Sequence, residues 1–210
     1  PQWVHTYGGA PSPIGDSNGW PTDIKTDNDG NCYLWGWCSD HAVFGSTTLT
    51  NSFKPVSTNW FYYLTKINNA GEVVWAKAVS EKNYCFNYGD MLDLDEEGNI
   101  YAGGHFKDSI DVSGNIFKPE GSNDFFLIKF TNDGDFQWIK TMPASGNVIS
   151  SLSVLKENSV TICGLAGINS TLGPFTILRK GGSTSIIATM GDLLTHFVPV
   201  WSGNGIDQMN

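Results

Sequence analysis

The sequence predicts an all-β protein made of tandem four-stranded antiparallel units. Three observations carry that expectation. First, Trp3, Trp75, Trp138 and Trp201 each sit in a similar strand ("QWVHTYGG", "VVWAKAVS", "FQWIKTMP", "PVWSGNG"), 72, 63 and 63 residues apart. Second, acidic turns of one shape, "TDNDGN" and "DLDEEGN", precede aromatic strands at matching places, and "NNAG" and "NDGD" precede two of the tryptophan strands. Gly or Asn in such turns accepts positive φ and closes a hairpin. Third, helical signals are nearly absent: no long run has a 3.6-residue period and none is preceded by a capping box.

The elements follow in chain order. A flanking strand with Trp3 occupies 1–19, and units span 20–80, 81–143 and 144–204, with the start of another at 205–210. Each unit opens with a short strand: "DIKTD" (23–27), "MLDLD" (91–95) and "SLSVL" (151–155). A tight turn leads to the second strand, "NCYLWGW", "NIYAGGH" and "SVTICGL", whose Gly36, Gly104 and Gly164 keep step. Phe44, Val112 and Leu172 stand eight residues beyond those glycines, inside what reads as a long polar loop. The third strands are "FYYLTKI", "FFLIKF" and "SIIATM", and a second tight turn leads to the tryptophan strand. Internal repetition at this period points to stacked units, each burying faces its neighbour would leave wet. Four strands per unit suit the blade of a β-propeller.

The pattern D-x-x-G-N-x-Y-x-x-G, then D-x-F-x-x-K-x-x-x-x-G-x-x-x-W, resembles the seven-bladed β-propeller repeat family of bacterial, Bacteroidetes-type surface and secreted proteins. Asp95, Gly98, Asn99, Tyr101, Gly104, Asp124, Phe126, Lys129, Gly134 and Trp138 carry it in the second unit. Asp27, Gly30, Asn31, Tyr33, Gly36, Asn59, Phe61 or Tyr62, Lys66, Gly71 and Trp75 carry it in the first. The third departs, with Asn158 for the turn glycine and Thr189 for the lysine. The resemblance implies three blades plus flanking strands of a larger ring, seven-bladed by likeness, completed by further blades of the same protein or by partner chains. It also implies an extracellular or cell-surface adhesion or binding role rather than one enzyme activity. "NST" (169–171), an N-glycosylation pattern, and "DSI" (108–110), similar to an O-glycosylation motif of Bacteroidetes exported proteins, lean the same way.

Composition excludes several classes. The net charge of −9, with no basic cluster, argues against nucleic acid and anionic membrane as partners. No apolar run reaches the length of about 18 residues needed for a bilayer-crossing helix. With 40% apolar and 16% charged residues the chain can build a core. The four cysteines, Cys32, Cys38, Cys85 and Cys163, read as buried free thiols, with a Cys38–Cys85 bridge as the alternative in an exported protein.

Candidate chemistry is sparse. Asp27, Asp29 and Asp95 head the acidic turns and are weak candidates for calcium. A calcium loop spaces its oxygens over about a dozen residues and ends in a bidentate acid, whereas "DNDGN" offers at most three side-chain ligands. A hairpin-turn role is the expectation, with no cofactor required and a negative rim at that end of the units. The opposite rim carries the longer connections 6–20, 39–59, 80–91, 107–123 and 167–185. Loops on a rigid scaffold commonly hold binding surfaces. Trp20, His41, Tyr84, Phe86 and Tyr88 fall there, and aromatics beside Asn and Asp suit a glycan or an extended peptide. "GDSNG" (15–19) has the spacing of a nucleophile elbow but lacks the preceding apolar strand and following helix. His5, His41, His105 and His196 lack metal-ligand spacing. The expectation is a non-catalytic module binding glycan or protein through the long-loop rim. The alternatives are a propeller glycan hydrolase or lyase with a central-channel site, and a structural spacer.

Overall fold

The computed structural model describes residues 3–9, 19–53, 60–82, 91–120, 123–144, 148–156, 159–167, 170–172, 175–177, 184–190 and 197–201. Among these there is no helix, and the protein is all-β with antiparallel sheets. The described residues do not close a ring.

The chain enters through an extended segment ending in β1 (Gly8–Gly9). The first unit contributes β2 (Gly19–Thr26), β3 (Cys32–Ser39), the short pair β4 (His41–Phe44) and β5 (Thr47–Thr50), then β6 (Trp60–Ile67) and β7 (Val73–Glu81). The second has β8 (Leu92–Leu94), β9 (Ile100–Phe106), the pair β10 (Ile110–Val112) and β11 (Asn115–Phe117), then β12 (Asp124–Phe130) and β13 (Phe136–Pro143). The third repeats the plan: β14 (Val148–Lys156), β15 (Ser159–Ala166), β16 (Ser170–Leu172), β17 (Phe175–Ile177), β18 (Thr184–Met190) and β19 (Phe197–Trp201).

Four strands of each unit form an up-and-down antiparallel sheet in chain order: β2-β3-β6-β7, β8-β9-β12-β13 and β14-β15-β18-β19. Four tight turns share one geometry. Asp27, Asn68, Asp95 and Thr131 each donate a main-chain N–H to the residue four on and accept one from the glycine three on. Those glycines, Gly30, Gly71, Gly98 and Gly134, have φ of +80°, +86°, +79° and +78°. This is a type I turn followed by a left-handed residue, the three-residue hairpin loop in which a side chain with Cβ is strained.

The segments expected as polar loops are a correction. Residues 41–50 and 110–117 are β-hairpins, strands 170–172 and 175–177 pair antiparallel in the same place of the third unit, and His41 lies in a strand rather than a loop. Each hairpin reaches backward along the chain. β10 pairs with β7, with Val112 opposite Val79, so the first sheet gains β10 and β11 and has six strands. β4 likewise pairs with β1, with Gly8 opposite Val43, and β16 lies beside β13. An outer strand otherwise presents a row of unpaired N–H and C=O groups, and the hairpin of the following unit covers it. Phe44 and Val112, the apolar positions inside the expected loops, are buried.

The core explains the near-continuous apolar strands. Every residue of β9 and β12 is buried, because the second sheet has a neighbour on both faces. One cluster runs through all three sheets, including Trp35, Tyr62, Tyr101, Phe126, Leu152 and Ile162. Trp35 lies parallel to Tyr62 at 5.1 Å, and Phe126 presents its edge to Tyr62 at 5.2 Å. The tryptophan ruler has a physical basis. A Cβ on Gly71 would stand 2.7 Å from Trp3, and one on Gly134 would stand 3.0 Å from Trp75. Trp3 and Trp75 therefore each pack under the second-turn glycine of the next unit.

Candidate functional site

At the turn end of the sheets the acidic motif builds its own structure. Asp27 Oδ1 accepts the main-chain N–H groups of Asp29 (3.0 Å) and Asn31 (2.9 Å); its Oδ2 accepts Asn31 Nδ2 (2.8 Å) and the Tyr33 hydroxyl (3.0 Å). Asp95 repeats the set with Glu97 N (3.1 Å), Asn99 N (2.8 Å), Asn99 Nδ2 (2.9 Å) and the Tyr101 hydroxyl (3.2 Å). The D-x-x-G-N-x-Y pattern is thus a single hydrogen-bonded unit, with the aspartate satisfying donors that the turn leaves over. Partial burial pulls the Asp27 carboxyl upward, but the bonds from Asn31, Tyr33 and Asp29 outweigh it and hold it below its usual range. The Tyr33 hydroxyl is pushed up, first by burial and then by its bond to Asp27 and that carboxylate's charge.

A buried lysine completes each set. Lys66 is cross-strand from Tyr33 and lies over its ring at 5.2 Å; Lys129 does the same at Tyr101, at 5.1 Å. Lys129 Nζ is 4.0 Å from Asp95 Oδ2, whereas Lys66 donates to Asn132 in the turn of the following sheet. The third unit, with Leu155 in place of the aspartate, puts Thr161 opposite Thr189, and their hydroxyls bond at 3.0 Å. The tyrosine, lysine and aspartate are replaced together.

The first turns of the first two sheets meet at a cavity of about 370 Å³, lined by 25–29, 93–98 and Asn132. Asp27, Asp29 and Asp95 all reach it. Asp27 and Asp95 are committed to their own turns, and among the described residues no three His, Cys, Asp or Glu side chains converge as a metal site would require. The neighbouring Asp93 and Asp23 bond across sheets: Asp23 Oδ2 accepts Leu92 N (2.9 Å) and Asp93 Oδ2 accepts Val154 N (2.8 Å). The first strand of each sheet is thereby fastened to the first strand of the next.

The opposite end gathers tryptophans. Trp20, expected in a loop, lies in β2 directly opposite Trp37 of β3. Their rings stack at 4.3 Å, and Trp60 of β6 sets its ring 4.4 Å from Trp37 and 5.7 Å from Trp20. Trp37 and Trp60 are half-buried, while Trp20 remains 43% exposed. One indole is therefore held rigidly by two others and presented to solvent. Asn51 braces this end by donating Nδ2 to the Trp60 carbonyl at 2.7 Å. His41 follows in the adjoining hairpin, its Nδ1 3.0 Å from the Asp40 carboxylate. Its carbonyl accepts the Cys38 thiol at 3.1 Å. Cys38 is a free, buried thiol, and burial together with the nearby Asp40 charge pushes it up to about 12.

Sequence reasoning named Trp20 and missed Trp37 and Trp60. The signal was in the cross-strand register: Trp20 opposes Trp37, and Trp60 opposes Ser39 two residues further on. Tyr84, Phe86 and Tyr88 lie outside the described residues. No protein-family model matches this chain, and no curated protein matches it either.

Proposed function

We propose that this chain is a non-catalytic recognition module of a secreted or cell-surface protein, which binds glycan or protein through the rim opposite the tight turns. The observation that carries the reading is the exposed Trp20 ring, braced by Trp37 and Trp60. A preorganised indole face gives large contact area at little conformational cost, and it suits the C–H face of a sugar ring or an extended peptide side chain. In this reading the three sheets are successive blades of a β-propeller that further blades complete. The backward-reaching hairpins and the repeated bonds from first strand to first strand support that arrangement.

The test is a glycan and peptide array probed with the wild-type protein and a Trp20→Ala variant, both with matching far-ultraviolet circular dichroism. A hot-spot aromatic is worth about 2 kcal/mol or more, so at least about thirtyfold weaker binding is expected. Binding that Trp20→Ala leaves unchanged refutes this rim as the site.

A further inference from the structure

His105 plays no part in the functional reading, and its surroundings are unusual. It is 3% exposed and lies in β9, in the middle sheet. Its main chain is bonded to the first sheet: the Tyr62 hydroxyl donates to the His105 carbonyl at 2.8 Å and lies 3.2 Å from its N–H. Its ring is bonded to the third sheet, with Nε2 3.1 Å from Ile149 N and 3.2 Å from Ile149 O. A single residue thus joins three sheets.

The ring's protonation state decides what that bond can be. In the neutral tautomer with a bare Nε2, the Ile149 N–H donates to it. Nδ1 is then buried with no partner among the described residues. Phe125 of β12 packs an edge against the ring at 5.7 Å. The charged groups on the elements around it are engaged elsewhere. On β8, Asp93 takes the Val154 N–H; on β12, Asp124 takes the Glu120 N–H and Lys129 lies over Tyr101. On β6, Lys66 lies over Tyr33 at the turn end, and Tyr62 is tied to the His105 main chain. Lys107 follows two residues on in the chain, and Lys156 stands at the far end of β14 from Ile149. Among the described residues no carboxylate bonds this ring: burial pushes its pKa down, and the bond to Ile149 offsets that only in part.

We propose that His105 is an acid-released latch between the second and third sheets: the neutral ring holds the Ile149 main chain, and protonation in mildly acidic solution lets β14 part from β9. A second proton turns Nε2 from acceptor into donor: the Ile149 N–H loses its partner, the ring must turn to the Ile149 carbonyl at 3.2 Å, and its positive charge lies buried. The sign follows. The ring gains its proton more readily in the unfolded chain than in the folded one. The sheet contact is therefore at full strength above about pH 6.5, and it weakens as pH falls from there toward the folded-state value.

The experiment is hydrogen exchange at the Ile149 amide between pH 7 and 5, read by nuclear magnetic resonance on wild type and His105→Gln. Gln can place a carbonyl oxygen near the Nε2 position and does not titrate. In wild type, protection at Ile149 relative to the intrinsic rate falls by up to about tenfold per pH unit. In His105→Gln it stays level. Equal profiles in the two proteins overturn the latch. Should the variant fail to fold, the wild-type imidazole resonances still decide: a midpoint below about 6.5 is required, and one at or above it overturns the proposal.

Discussion

Replacing Asp95 by Asn removes one charge and almost no volume, so it isolates what the carboxylate does. Asp95 accepts four hydrogen bonds, and its side chain is 1% exposed with Lys129 Nζ at 4.0 Å. Bonds to a charged acceptor contribute about 1.5–3 kcal/mol each, though not additively. An amide oxygen still accepts the two main-chain N–H groups, but its NH₂ confronts the Asn99 NH₂, and Lys129 loses its counter-charge in a buried place. We expect a loss of about 2–4 kcal/mol, between that of one charged hydrogen bond and that of a broken buried ion pair. In a chain of 210 residues this lowers Tm by roughly 4–16 °C. Urea titration followed by tryptophan fluorescence measures it, with the m-value unchanged. Asp27→Asn costs less, because Lys66 bonds Asn132 rather than the aspartate. Adding Lys129→Met to Asp95→Asn shows a coupling of about 0.5–3 kcal/mol. A loss under about 1 kcal/mol for Asp95→Asn would refute the view that this carboxylate organises the turn.

Other expectations follow from the same geometry. Tyr62→Phe leaves the His105 carbonyl without its buried hydroxyl partner and costs about 1–3 kcal/mol by denaturant titration. Gly104→Ala places a Cβ 2.7 Å from the Tyr62 ring and 2.8 Å from Phe126, and overpacking there costs about 1–3 kcal/mol, read as a lower urea midpoint. Gly134→Ala strains a φ of +78° and presses on Trp75, which appears as a shift in tryptophan emission alongside lost stability. The depressed Asp27 carboxyl contributes stability that is complete above about pH 4 and is lost as pH falls through its folded-state value. Asp27→Asn flattens that acid limb in a pH series of melting curves.

The candidate site was half legible, for a reason visible in particular residues. Trp20 was singled out as an unusual aromatic, yet its neighbours Trp37 and Trp60 come from two other strands and meet only through register. His105 shows no pattern in the chain, because its ring partner lies on the next sheet, 44 residues on. The hairpins were missed because 41–50 and 110–117 read as polar stretches, with apolar anchors such as Phe44 and Val112 but no extended alternation. Their strand partners, β1 and β7, belong to the preceding unit.

The sequence by itself determined the repeat, its four-stranded sheets and the chemistry of its turns. Those depend on local rules: which residues accept positive φ, which side chains cap a turn, and where apolar runs begin and end. Tertiary structure alone decided which unit each hairpin serves, that three tryptophans form one platform, and that one histidine holds three sheets. Those depend on the packing of surfaces from separate units, and no local preference records which distant strand will lie alongside.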